Sequence, residues 1–301
     1  MSITFGTLAL PSFWKNETTL LVESLRAFGG ELADAQVLAF TLKDHPLLPE
    51  DEEKLRSAGI EIIQFDVSEG AREFPLAVVP HGAAAAERTV NTDLLVWALP
   101  DTLILNSPLE FTLPAGKHLA YRPVHHRNIG AAYDHALDAF WQLIYTHCSV
   151  PAERVFKMKT CYRESIRPYF NAGLLVCRPA EGLMRNWLDV FERTYKHPDF
   201  TPFYTDRKYA IFMHQAVLSG VILNQYTPDQ MAALPESYNY PLHMHQDYPA
   251  AGRVQQIGDL TTARFEDIKT LAEVLALFET NDNQKEWLTH MTAQIEGSQH
   301  G

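Results

Sequence analysis

Cysteine is scarce, with Cys148, Cys161 and Cys177 the three in 301 residues. They have neither metal-ligand spacing nor the even number of a disulfide framework, so reduced thiols in a cytosolic compartment are expected. Positive charge is short as well, and the formal net charge is −12. Nonspecific nucleic-acid binding and adhesion to anionic membrane both need a basic surface that displaces counterions, so neither class of partner is expected. Long apolar runs are missing: no window approaches the roughly eighteen uninterrupted apolar residues of a membrane span. The opening "MSITFGTLALPSFW" lacks the basic flank of a leader. These absences lead to the expectation of a cytoplasmic protein with no membrane span. Low-complexity linkers and fixed-period repeats are also lacking, which favours one continuous fold. What is there, 46% hydrophobic and 21% charged residues, is an ordinary globular composition.

The chain reads as strands alternating with helices. "ITFGTLAL" is a strand candidate, and in "TTLLVESLRAFGG" Leu21, Leu25 and Phe28 recur at helical spacing before Gly29 and Gly30 supply a stop. Strand, exposed helix and strand follow in "DAQVLAFTL", "PEDEEKLRSAG" and "IEIIQFDV", the order expected of a parallel or mixed sheet covered by helices. "HGAAAAERT" predicts a short helix ahead of "DLLVWALPDTLIL". "GAAYDHALDAFWQLIY" places Tyr133, Leu137, Phe140, Trp141 and Ile144 on one helical stripe. "YFNAGLLVC" predicts another strand and "EGLMRNWLDVFERTY" another amphipathic helix. The expected organisation is one α/β domain over residues 1–250 and a helical extension over 251–301 that contains "FEDIKTLAEVLALFE".

Four stretches carry possible chemistry. In "VWALPDTLIL" an apolar run fit for burial is interrupted by Pro100 and Asp101. A buried carboxylate is costly unless paired or metal-bound, so Asp101 belongs where the strand leaves the core, at the edge where open α/β sheets bind ligands. The alternative is a turn in which Asp101 accepts a hydrogen bond from the backbone two residues on, although the run resumes as "TLIL". In "PYFNAGLLVCRP", Asn171, Ala172 and Gly173 put an amide and two small residues at the start of an apolar strand. Small residues let a ligand approach the backbone, while a bulge with Asn171 satisfying local backbone groups reads equally well. "MHQAVLSG" opens a helical run with His214 and Gln215, which either face a cleft or serve as a cap. "LPESYNYPLHMHQDYP" carries His243 and His245, which on a strand would share one side and suit a metal or phosphate, or else sit unengaged in a tyrosine-rich loop.

Taken in order, these stretches resemble the nucleotide-sugar-dependent glycosyltransferases of the GT-A fold, nearest to family 8, the glycogenin and bacterial lipopolysaccharide galactosyltransferase type. That family begins with a strand and an "SLR"-like helix, here Ser24-Leu25-Arg26, and continues with "LDSDTLVL"-like, "FNAGVLL"-like, "DQDVLN"-like and "LP..YN" stretches. This chain has "ALPDTLIL", "YFNAGLLV", "HQAVLSG" and "LPESYN" in the same order, so the resemblance covers roughly residues 3 to 245. It departs at two acids. The first Asp of the Asp-x-Asp metal motif corresponds to Leu99, and the Asp of the "DQ" pair to His214. The family's late His-x-x-Gly-x-Lys phosphate motif has only loose counterparts in His243, His245 and Arg253.

The resemblance implies a GT-A-like, Rossmann-like central mixed sheet with helices on both faces, and transfer of a hexose from a nucleotide diphosphate sugar to an acceptor hydroxyl. On that reading Thr7, Leu8 and Ala9 meet the base, and Arg88, Arg122 and Arg167 meet the diphosphate. Asp101, His243 and His245 are the candidate ligands of a weakly held Mn2+ or Mg2+. Asn171, Ala172 and Gly173 line the sugar site, and His214, Gln215 and Asn171 are the candidate catalytic group. The two lost acids also suit a degenerate member that binds a nucleotide sugar or a protein partner without transfer. A third alternative is an enzyme that cleaves a nucleotide sugar without an acceptor.

Overall fold

The computed structural model describes residues 1–11 and 15–297. Its strands in chain order are β1 (Ile3–Leu8), β2 (Gln36–Leu42), β3 (Ile60–Phe65), β4 (Leu94–Ala98), β5 (Thr102–Ile104), β6 (Leu119–Pro123), β7 (Met158–Lys159), β8 (Ser165–Ile166), β9 (Phe170–Cys177), β10 (Met231–Ala233), β11 (Tyr240–Pro241) and β12 (Thr262–Arg264). The α-helices are α1 (Lys15–Phe28), α2 (Pro49–Ser57), α3 (Val78–Thr89), α4 (Ala139–His147), α5 (Leu183–Thr194), α6 (Arg207–Gln225), α7 (Ile268–Ala276) and α8 (Asn283–Gly297). Among the described residues, no helix is long and apolar enough to cross a membrane.

A seven-stranded mixed sheet in the order β10-β6-β9-β4-β1-β2-β3 forms the centre. β9 is antiparallel to both its neighbours, and the remaining pairs are parallel. Strands covered on both faces must be apolar throughout, and β1, β4 and β9 are buried along their whole length. Successive side chains alternate between two cores. Leu95, Trp97, Leu175 and Cys177 face one with Trp187, Phe191 and Val217 of α5 and α6. Leu94, Val96, Leu174 and Val176 face the other with Leu21, Leu25 and Leu55 of α1 and α2. The mixed sheet with helices on both faces is therefore the expected GT-A-like arrangement.

Because β9 runs against β4, the carboxyl end of β4 and the amino end of β9 meet at one edge. Ala98 pairs with Leu174, and the Leu99 N–H donates to the Gly173 carbonyl at 2.8 Å. Pro100 and Asp101 then make a turn closed by the Thr102 N–H donating to the Leu99 carbonyl at 3.0 Å. Here the chain changes sheets. β5 joins a second sheet in the order β11-β12-β5, with Arg264 opposite Thr102 in an antiparallel ladder. A third core, including Leu103, Leu105, Tyr240, Phe265, Leu271 and Phe278, closes around that ladder. The stretch from residue 251 onward thus supplies a strand as well as α7 and α8, and is tied to the middle of the chain.

Three local expectations are corrected. Tyr133 and Leu137 lie outside α4, because Asp138 caps that helix by accepting from the Trp141 N–H at 2.9 Å and the Tyr133 N–H is already given to the Ser165 carbonyl. His214 and Gln215 sit in the middle of α6 rather than opening it, since Asp206 caps the helix well upstream. His243 and His245 occupy a 3-10 turn, Leu242–Asp247, so they do not share a side as they would on a strand. All three cysteines are buried and unpaired, and burial pushes the Cys148 thiol up to about 12.

Candidate active site

At the edge where β4 ends and β9 begins, a cavity of about 250 Å³ opens between β9, α6 and the turn after β11. Leu99, Asn171, Ala172, Gly173, His214, Gln215 and His243, all singled out in the sequence, line it together. Arg264, His125 and Glu266, which no sequence motif marks, line it too.

The amino end of β9 is fastened to α6 by side chains. Gln215 Oε1 accepts the Ala172 N–H at 3.0 Å, and Ser219 Oγ accepts the Phe170 N–H at 3.0 Å. Residues four apart on a helix span about 6 Å, and residues two apart on a strand about 6.6 Å, so the two pairs match in pitch. Asn171 Oδ1 accepts the Gly173 N–H at 2.8 Å, the local contact expected of a structural Asn. Its Nδ2 is the part left for a ligand.

Asp101 lies beneath this cavity, 2% exposed. Its carboxylate does not serve the turn; it pairs with Arg264, whose Nε and Nη2 both donate to Oδ2 at 2.9 and 2.5 Å. The partner comes from β12 and is fixed there by the ladder with β5 and by the Phe265 N–H donating to the Asp101 carbonyl at 3.1 Å. Arg264 Nη1 lies over Gly173: a Cβ at that glycine would stand 3.0 Å from it and 3.3 Å from Cζ. Gly173 is thus small because a guanidinium packs on it. Arg264 is the one Arg or Lys among the cavity-lining residues, and Glu266 the one Asp or Glu.

The imidazoles facing the cavity are neutral at neutral pH. Burial lowers His214 to about 4 and holds His125 well below the ordinary histidine value, with the Arg264 charge acting in the same direction on both. His243 is also lowered by burial, opposed by Glu266, whose Oε2 is 3.4 Å from its Nε2. His214 Nδ1 is 2.9 Å from the Ile211 carbonyl, which can only accept, so the proton is on Nδ1 and the Nε2 lone pair is available.

Other predicted residues lie elsewhere. Thr7, Leu8 and Ala9 have no exposure at the end of β1 and do not line the cavity. Arg88 is exposed in the last turn of α3, just ahead of β4 and so at the sheet's opposite edge. Arg122 is buried, donating to the Leu234 carbonyl at 2.9 Å and to Cys161 Sγ at 3.4 Å. Arg167 holds a loop through the Ala132 and Tyr133 carbonyls at 2.7 and 2.9 Å. His245 bonds Tyr240 at 2.9 Å and packs 4.1 Å from the Phe278 ring. Arg264 is hidden in the sequence because "TTARF" is short and its partner is remote; the signal was Asp101 itself, which required a cation.

A divalent ion of the kind the Asp-x-Asp motif holds does not fit these residues. Leu99 offers no ligand atom, and Oδ2 of the one remaining acid is taken by Arg264. Asp101 Oδ1 and His243 Nδ1 are buried without hydrogen-bond partners. One carboxylate, already balanced by a guanidinium, and one neutral imidazole provide no net charge to hold a hard cation. Elsewhere His147, His197 and Asp199 place ligand atoms within 4.8 Å of one another, but this cluster shares no residue with the cavity.

The model of the Rhodobacterales glycosyltransferase domain matches residues 12–224. No curated protein matches the sequence. The fold is similar to that of an active-site mutant of LgtC, with a TM-score of 0.51 at 13% identity over 96% of this chain and 100% of that one. It is likewise similar to the bifunctional glycosyltransferase WbbM, with a TM-score of 0.50 at 9% identity over 97% of this chain and 51% of that one.

Proposed function

The chain belongs to the Rhodobacterales glycosyltransferase domain family, and we propose from that premise that the cavity between β4, β9 and α6 takes the sugar and diphosphate of a nucleotide-activated hexose and passes the hexose to an acceptor hydroxyl. One observation carries the reading: Leu99, Asn171 to Gly173, His214, Gln215 and His243, drawn from four separate motifs, converge on one cavity. Residues 1–250 and 251–301 act as one working unit, because Arg264 and Glu266 of the latter line that cavity.

In the transfer, the bond between C1 of the hexose and the phosphate oxygen breaks with both electrons staying on oxygen. The acceptor oxygen bonds to C1 and its proton leaves. A histidine lowered to about 4 is a weaker base than a phosphate group with a second pKa of about 6. The proton therefore ends on the departing diphosphate, while His214 Nε2 accepts the hydroxyl's hydrogen bond and orients it. The Asn171 amide and the Gln215 side chain, fixed on β9 and α6, hold the sugar.

The test is the melting temperature of the full chain with uridine, guanosine, thymidine and adenosine diphosphates in turn. A ligand at 100 times its dissociation constant stabilises by about 2.7 kcal/mol. A clear rise with one or more supports the reading, and no rise with any of the four at millimolar concentration removes it.

A further inference from the structure

We propose that Arg264 stands in for the metal ion, so that this transferase binds its donor's diphosphate, and releases it, without a divalent cation. The inference rests on the proposed donor site and deepens it by assigning the group that meets the diphosphate.

Four observations carry it. Leu99 removes one of the two acids a resident ion would need, and the other acid, Asp101, spends Oδ2 on Arg264. Arg264 is built into place: its backbone is paired with Thr102, its Nε and Nη2 are anchored, and Gly173 leaves room for the plane of the guanidinium. Its side chain is 19% exposed, and its Nη1 has no hydrogen-bond partner among the described residues. Finally, among the described residues it is the sole fixed positive charge lining a cavity whose flanking imidazoles are neutral.

The buried pair also explains what kind of help Arg264 gives. Asp101 cancels most of its long-range field, so the guanidinium contributes directed N–H donors at short range rather than general attraction for anions. Charge grows on the phosphate oxygen as the C1–O bond breaks, and fixed donors aimed there stabilise that charge without reorganising. His125 and His243, lining the same cavity, add imidazole groups that can donate to the diphosphate once it is bound.

The experiment is calorimetric titration of the full chain with the four nucleoside diphosphates and with inorganic pyrophosphate, at fixed ionic strength, in EDTA and again with manganese. At least one nucleotide should bind wild type in EDTA, with manganese changing Kd by less than about threefold. Arg264→Gln should weaken that binding by about tenfold or more, the loss expected for charge-assisted hydrogen bonds. Because Arg264→Gln leaves Asp101 unpaired, the double variant Asp101→Asn with Arg264→Gln, which strands no charge, is titrated beside it. It should melt as a folded protein and bind equally weakly. Binding that appears only with manganese, or wild-type affinity in the folded double variant, overturns the inference and leaves the donor site standing. No binding to wild type under either condition overturns both.

Discussion

Arg264 Nε lies 2.9 Å from Asp101 Oδ2 across 163 positions of sequence. This contact binds the strand that leaves the central sheet to the strand that returns from the far end of the chain. The acid that the sequence offers as a metal ligand is thereby turned into the anchor of a guanidinium.

That arrangement sets the thermodynamics of the pair. Removing one partner of a buried ion pair strands the other charge and costs about 3–5 kcal/mol, whereas replacing both with neutral groups costs much less. Asp101→Ala should therefore lower the unfolding free energy by several kcal/mol, and Asp101→Asn with Arg264→Gln by clearly less than either single change. Urea unfolding of the three variants measures this, and additive losses would show that the two side chains do not depend on each other.

Gly173 tests the geometry from the other side. A Cβ there would stand 2.9 Å from Asn171 Oδ1 and 3.0 Å from Arg264 Nη1, closer than packing tolerates. Gly173→Ala should displace the guanidinium and weaken nucleoside diphosphate binding severalfold while destabilising by about 1–3 kcal/mol, the usual overpacking cost. Wild-type affinity in this variant would mean that the diphosphate does not meet Arg264 at this place.

The pH dependence of stability has a defined sign. His214 is lowered from 6.5 to about 4 in the folded chain. Between those values the unfolded chain binds a proton that the folded chain refuses, so stability is full above pH 6.5 and falls as pH drops toward 4. One proton's difference costs about 1.4 kcal/mol for each pH unit, so this residue alone should account for about 2 kcal/mol of loss between about pH 7 and about pH 5. His214→Gln should flatten the wild-type profile by that amount in urea unfolding. Parallel profiles would place the imidazole in a wetter setting than the fold provides.

Much of this was legible in the sequence, for reasons that can be named. β9 and α5 announce themselves because a strand buried on both faces is apolar throughout and a surface helix carries a stripe, and both patterns are local. Asn171, Gly173, His214 and Gln215 could be paired with one another only through ordered motifs. Arg264 could not be found that way, because the partner that defines it is set by a β5–β12 register absent from any short window. Arg122 and Arg167 illustrate the converse: an arginine's charge suggests phosphate, but the carbonyls that occupy these two are visible only in the fold. His243 and His245 parted company because the segment tightens into a 3-10 turn, a choice made by its packing on Tyr240 and Phe278 rather than by its sequence period.

The most direct measurement is release of nucleoside diphosphate from uridine, guanosine, thymidine and adenosine diphosphate hexoses by the full chain, in EDTA and in manganese, with Arg264→Gln alongside. A guanidinium in the metal's place predicts turnover of at least one donor in EDTA and a rate that manganese changes by less than about threefold. It also predicts a fall of about tenfold or more in the variant, as expected where fixed donors stabilise a developing charge. Turnover that depends on manganese and survives Arg264→Gln would contradict it.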